Sequence, residues 1–212
     1  MTNSPGEHLE TEQKYDADAD FVLPDLAGLG GSAKATRPRT YYLSATYFDT
    51  DDFDLAKNRI TLRRRVGGTD EGWHLKRPVR KDTRQELRVP LDDGPAPDAG
   101  TVPAVLAAQV EDLTAGQPLR AIAILDTERT LVTLTDPAGE PMAEVADDRV
   151  TATRLSEPSS EPVTWREIEV ELIGASPEAA RGLLEAAGHA LRQAGARRSS
   201  SASKLGRLLG GG

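Results

Sequence analysis

The chain has no cysteine, which removes disulfides and thiolate metal sites from consideration. Its three histidines, His8, His74 and His189, lie far apart, so a bound metal would rest chiefly on oxygen ligands. No run of about 18 apolar residues occurs, so no segment reads as a membrane-spanning helix. The opening residues lack the apolar stretch of a secretory signal, and the expected location is the cytoplasm. Basic residues are too few for a surface that binds nucleic acid by charge alone: 26 Lys and Arg stand against 34 Asp and Glu, a formal net charge of -8. What remains is an acidic chain of 212 residues with a hydrophobic fraction of 38%, enough for one domain with a full core.

Residues 1–8 are polar and read as a disordered N-terminal segment, 9–209 as the domain, and 210–212 as a glycine tail. Alternation and β-branched or aromatic content mark strands at 9–16, 40–49, 59–66, 72–78, 83–91, 121–135, 141–153 and 164–173, the seventh of these preceded by one broken near Asp126. The third and fourth form a hairpin across 67–71. A short helix is expected within 17–29, a mobile loop over 30–38 and a helical turn over 51–58. Val105, Leu106, Val110 and Leu113 recur at helical spacing and predict a helix over 103–113. Ser176, Pro177 and Glu178 supply an N-cap, a first-turn proline and an early acid for a helix reaching about Gly195, and a last short helix is expected over 204–209. Such a series predicts an α+β fold: a closed eight-stranded antiparallel β-barrel with flanking helices.

Several strands align charges on one face. Glu10, Glu12 and Lys14 share a face, as do Arg63 and Arg65, then Arg84, Glu86 and Arg88, then Glu167, Glu169 and Glu171. Side chains two apart on a strand are roughly 6.5–7 Å from each other, and neighbouring carboxylates at an effective dielectric near 20 repel by about 2.4 kcal/mol. Screening in open water would remove most of that cost and leave a merely solvated face. The opposite face of the last strand, Ile168, Val170 and Leu172, must however pack against something. Helices covering it from outside would turn the charges inward. An enclosed wall of acids opposite Lys and Arg is frustrated when empty. Divalent cations and phosphates would relieve it: carboxylate oxygens suit Mg²⁺ or Mn²⁺, and guanidinium forks and ammoniums suit phosphate oxygens.

The ordered series of motifs resembles the CYTH domains, also called triphosphate tunnel metalloenzymes. Glu10, Glu12 and Lys14 match the ExExK hallmark. Tyr47-Phe48-Asp49-Thr50 is similar to the YFDT strand end, Leu62-Arg63-Arg64-Arg65 to LRxR, Leu75-Lys76-Arg77-Pro78 to LKxP, and Arg84-Gln85-Glu86 to RxE. Arg129 matches a basic strand residue, Glu144 with Asp147 an ExxxD-like segment with one residue of slippage, Glu167 to Glu171 the run EIExE, and Ser203-Lys204 a closing SK.

The resemblance implies a metal-dependent triphosphatase using Mg²⁺ or Mn²⁺ inside a barrel tunnel. It implies metal ligands Glu10, Glu12, Asp147, Glu167, Glu169 and Glu171, and phosphate contacts from Lys14, Arg63, Arg65, Lys76, Arg129 and Lys204. Catalytic roles fall to Lys14, Lys76, Arg129 and Glu86, the last sitting among the bases. Thiamine triphosphatases place an aromatic residue before LRxR where this chain has Thr61, so inorganic triphosphate is favoured, with diphosphate and phosphate as products. The alternatives are a thiamine triphosphatase, a class IV adenylate cyclase-like enzyme and a non-catalytic polyphosphate-binding module. The implied partners are a triphosphate-containing small molecule and, in a longer parent chain, a C-terminal helical CHAD domain. Nucleic acid and membrane are not expected, and the domain would act as a monomer or homodimer. His8, His74 and His189 read as surface or packing residues, and Trp165 as core or rim. Trp73 reads as packing too, and is also the remaining candidate for stacking on an organic group.

Overall fold

Alternating strands built from this sequence close into a ring. The computed structural model describes residues 6–32, 34–91, 101–156, 159–173 and 177–210. Its long strands are β1 (Gly6–Ala17), β3 (Arg39–Asp49), β4 (Thr61–Val66), β5 (Gly72–Arg80), β6 (Thr83–Val89), β7 (Arg120–Thr135), β8 (Pro141–Arg154) and β9 (Val163–Leu172). They pair in the order β1, β6, β5, β4, β3, β7, β8, β9, and β9 returns to β1 in an antiparallel ladder from Glu12↔Glu171 to Ala17↔Arg166. The expected closed eight-stranded antiparallel barrel is therefore the fold, and closure leaves its long strands without a free edge. Two short strands, β2 (Lys34–Ala35) and β10 (Arg197–Arg198), lie against β7 and β1.

Apolar side chains gather in three places, two of them outside the barrel. Helix α4 (Pro177–Gln193) presents Leu183, Leu184, Ala187 and Leu191 at helical spacing to Tyr15, Val145, Ile168 and Val170. Gly188 allows this close approach, since an added Cβ would sit 2.2 Å from the Tyr15 hydroxyl. On another side Leu55 of α1 (Asp54–Lys57) and Leu106 of α2 (Ala104–Ala107) pack with Val110 on Phe48, Leu62, Trp73 and Leu75. The third cluster is internal: α5 (Lys204–Leu209) inserts Leu205 and Leu208 among Ala45, Tyr47, Ala123, Leu125, Val150 and Ala152. Ser203 Oγ accepts the Gly206 amide at 2.9 Å and starts this helix, while the Arg154 guanidinium donates to the Leu208 carbonyl near its end.

Four expectations about local structure need correction. Residues 17–29 form no α-helix; Pro24 and the left-handed Gly28 (φ +79) keep the chain irregular, and Phe21 and Leu26 are buried against the α4 core instead. The expected loop over 30–38 contains β2. The helix predicted over 103–113 is two four-residue helices, α2 and α3 (Glu111–Thr114), separated at Val110 (φ -123). So short a segment takes its shape from packing of Leu106 and Val110, not from propensity. Strand β7 runs unbroken through Asp126, which pairs with Ser44 and Thr151 and keeps its charge exposed. The Ser176 N-cap lies outside the described residues.

Candidate active site

Because strands alternate, the outer cores fix which residues point inward. Ile168 and Val170 pack outside, so Glu167, Glu169 and Glu171 face the interior. The ladders place Glu12 opposite Glu171 and Lys14 opposite Glu169. Leu62 and Leu75 likewise pack outside and turn Thr61, Arg63, Arg65 and Lys76 inward. A cavity of about 50 Å³ is bordered by Glu10, Glu12, Lys14, Arg63, Arg65, Lys76, Arg129, Glu171 and Lys204, among others.

One group of acids is neutralised by the protein's own cations. Carboxylate oxygens of Asp148, Glu167 and Glu169 lie within 4.8 Å of one another, close enough to hold one ion. The Lys204 ammonium sits among them, 2.8 Å from Asp148, 2.8 Å from Glu167 and 2.7 Å from Glu169. Arg129 forks onto Asp148 at 2.8 and 2.7 Å and reaches Glu169 at 2.8 Å, and Lys14 pairs with Glu169 as well. Burial pushes the Glu169 carboxyl up, but Lys14, Lys204 and Arg129 together draw it well below the usual range. Burial acts against the Lys204 charge, and Asp148 and the two glutamates more than restore it.

The adjoining stretch of wall, formed by β1 and the end of β9, is less balanced. Glu10 pairs with Lys76 at 2.5 Å and Arg88 at 3.2 Å, yet burial still pushes its carboxyl up. Glu171 makes no hydrogen bond or ion pair with another described side chain. Burial pushes its carboxyl up to about 7, with Lys76 opposing and Glu10 and Glu12 adding to the rise. Glu12 is held down by Lys14, against the effect of burial. Three carboxylates on one stretch of wall, with Glu171 unpaired among the described residues, form an oxygen donor set suited to a hard divalent ion.

The basic side is unbalanced in the other direction. Arg63 is 9% exposed, and among the described residues its sole polar side-chain contact is the Tyr47 hydroxyl, 3.4 Å from Nη1. Its Nε, like that of Arg65, is buried with no partner among the described residues. The Arg65 guanidinium pairs with Asp70 of the β4–β5 turn. Orphaned buried guanidinium N–H groups are costly, and an oxyanion in the tunnel would satisfy them. Glu86 is fully buried and contacts His74 at 2.8 Å, Arg88, and Lys76 at 3.5 Å. Burial pushes its carboxyl up, and the His74 and Lys76 contacts outweigh this and hold it ionised.

All but one of the residues expected to form the site face the interior together. The exception is Asp147, which pairs with Arg166 through contacts of 2.8 and 2.7 Å; its β9 ladder partner is the outward Ile168. The inward acid is Asp148, directly opposite Arg129 on β7. Asp148 and Asp70 join the network without having been singled out; Arg88, expected only as part of a charged strand face, and His74, expected only as a surface or packing residue, join it too. For Asp148 the signal was the register of the β7–β8 hairpin, which a bulge beside Thr135 disguises. Trp73 points outward, its ring 5.1 Å from that of Phe48, and so cannot stack on a ligand in the tunnel. Trp165 donates to Glu167 at 2.6 Å and lies under the Arg207 guanidinium.

A closed antiparallel barrel whose interior sets carboxylates against guanidinium and ammonium groups defines a class of charged-tunnel proteins. The chain belongs to the CYTH domain family, whose model matches residues 8–208. It is 37% identical over 214 residues to an uncharacterized protein of Mycobacterium tuberculosis, matched in two strains. That match covers 97% of this chain and 41% of the relative, so the chain spans about two fifths of the relative's length. Among solved structures, a candidate adenylate cyclase from Bacillus halodurans superposes with a TM-score of 0.61 at 20% identity, covering 96% of this chain and 98% of that one. A protein from Pyrococcus horikoshii superposes with a TM-score of 0.53 at 17% identity over 95% and 98% of the two chains. At these identities the structural likeness speaks for the fold. No helix among the described residues is long and apolar enough to cross a membrane.

Proposed function

We propose that the tunnel hydrolyses inorganic triphosphate to diphosphate and phosphate in a reaction dependent on Mg²⁺ or Mn²⁺. The observation that carries this reading is the pair of buried guanidiniums, Arg63 and Arg65, with orphaned Nε groups, sharing a cavity with the under-neutralised Glu171. A polyphosphate with its cation satisfies both at once. Glu10, Glu12 and Glu171 would hold the metal; Glu167 and Glu169, with Asp148, already enclose Lys204. When bound, such an ion would supply neutralising charge for the polyphosphate and Lewis acidity toward the attacking water.

The protein's own side chains supply positioning, which does most of the work in phosphoryl transfer. Arg63, Arg65, Lys14, Lys76, Arg129 and Lys204 would grip the phosphate chain, and those at the leaving end offset the charge that builds on diphosphate. Water attacks the terminal phosphorus, the bridging P–O bond breaks toward diphosphate, and the proton of the water passes to the acidic wall. Glu86, tied to Lys76 and Arg88, keeps both cations aimed inward. Thr61 at the cavity border offers no aromatic surface, and Trp73 faces away, which supports an inorganic substrate over thiamine triphosphate. The further length of the M. tuberculosis relative leaves room for a second domain such as the helical CHAD domain.

Phosphate release from tripolyphosphate, diphosphate, ATP and thiamine triphosphate, each with Mg²⁺, Mn²⁺ or chelator, tests the proposal. Turnover of tripolyphosphate in metal alone is expected. Cyclic AMP from ATP, or no turnover of any substrate, would refute it.

A further inference from the structure

His74 has no part in the reaction outlined above, yet it is 1% exposed in the barrel wall. Its Nδ1 lies 2.8 Å from Glu86 Oε1 and its Nε2 lies 3.0 Å from the Asp70 carbonyl oxygen. Both ring nitrogens therefore face oxygen acceptors. A neutral imidazole has one N–H and one lone pair, so beside an ionised Glu86 it would aim a lone pair at an oxygen in a buried site. The contacts are both donor–acceptor pairs only if the His74–Glu86 pair retains one further proton, with Nε2–H given to the carbonyl.

The charged groups around the ring divide. Burial comes first among the influences against a charge on the ring, and Arg63 and Arg65 of β4 add to it; Glu86 of β6 opposes them and favours the charge. Lys76 of β5 and Arg88 of β6 act on Glu86, and Glu10 of β1 lies beyond it. The direct contacts decide, because two oxygens at hydrogen-bond distance leave nowhere for a lone pair to point.

Asp70 carries the link onward. Its carbonyl receives His74 and its carboxylate holds the Arg65 guanidinium. The turn bearing it passes through Gly67 and Gly68 at φ +82 and +84, backbone that a bulkier residue would strain. A continuous line of contacts thus runs from Glu86 through His74 and Asp70 to Arg65.

We infer that His74 is a positioning residue: as a double donor it ties Glu86 to the 67–71 turn and so fixes Asp70 and the Arg65 guanidinium for the phosphate chain. The inference rests on the phosphate-binding role proposed for Arg65. Two-bond ¹H–¹⁵N NMR of the full chain should show both His74 nitrogens protonated from pH 5.5 to 8. A bare nitrogen, or a titration near the ordinary value of about 6.5, would overturn the inference. His74→Phe should speed amide exchange across 67–71 and raise the KM for tripolyphosphate about tenfold, with kcat within about twofold, as expected for one lost hydrogen bond that acts on binding. His74→Gln, which keeps a donor, should fall between. A lowered Tm with unchanged KM would mean a purely structural role. If the Phe variant does not fold, the Gln variant and the NMR of the unaltered chain decide. If the chain turns over no substrate, the proposed function fails, whereas ring protonation and turn exchange still judge this inference.

Discussion

Replacing Lys204 by methionine would empty the seat between Asp148, Glu167 and Glu169 while keeping most of the side-chain volume. Each ammonium–carboxylate contact of 2.8 Å amounts to roughly 6 kcal/mol of attraction at an effective dielectric near 20. Without the ammonium, carboxylates within 4.8 Å of one another repel by roughly 3.5 kcal/mol per pair. One remaining contact limits the damage: Arg129 stays on Asp148 and Glu169. The net loss should then match that of other broken buried ion pairs, about 3–5 kcal/mol. At about 2–4 °C per kcal/mol for a chain of this size, Tm should fall by roughly 6–20 °C in chelator, measured by scanning calorimetry at pH 7.5. Adding Mg²⁺ should raise the Tm of Lys204→Met by more than it raises that of the parent, because the vacated acids can now receive an ion. A variant melting within about 2 °C of the parent in chelator would show that Lys204 does not neutralise this cluster.

Other perturbations separate binding from folding. Arg63→Met should leave Tm unchanged or higher, since it removes a buried charge that has no carboxylate ion-pair partner among the described residues, while weakening tripolyphosphate binding by about a hundredfold in calorimetric titration. Asp49→Ala should cost about 1–3 kcal/mol in urea unfolding without altering KM, because Asp49 accepts the amides of Thr50, Leu55 and Ala56 at 2.8–2.9 Å beside α1. Glu171 sets a pH trend in metal-free protein. Its folded pKa of about 7 exceeds the ordinary glutamate value of 4.5, so its contribution is fully present below pH 4.5 and is lost as pH rises through 7. The span is at most about 3 kcal/mol, and Glu171→Gln in chelator should flatten that part of the stability profile. Asp147→Asn should lower stability through Arg166 yet retain turnover, whereas Asp148→Asn should impair it; equal loss from both would contradict the inward assignment of Asp148.

The barrel and much of its lining were legible because a strand writes its two faces into alternate residues. Glu167, Glu169 and Glu171 against Ile168, Val170 and Leu172 needed no coordinates to interpret. Asp147 against Asp148 was not decidable in that way: β8 carries adjacent acids, one for each face, and their sides depend on hairpin register. Asp70 sits in a turn, where periodicity says nothing. His74 stands between Trp73 and Leu75, and its role depends on meeting Glu86 and a carbonyl from elsewhere in the chain. Helical spacing in 103–113 identified the buried Leu106 and Val110 but could not show that the helix divides between them and Glu111.

The opposed faces of β9 also determine where this protein can change length. Inserting one residue beside Glu169 would send part of the acid row into the oily contact with α4 and bring Ile168 or Val170 into the cavity. Substitution is far gentler, because an inward side chain can be exchanged while the contacts of its outward neighbours remain. Such a barrel can explore new ligands residue by residue, but it must confine insertions and deletions to its connecting loops.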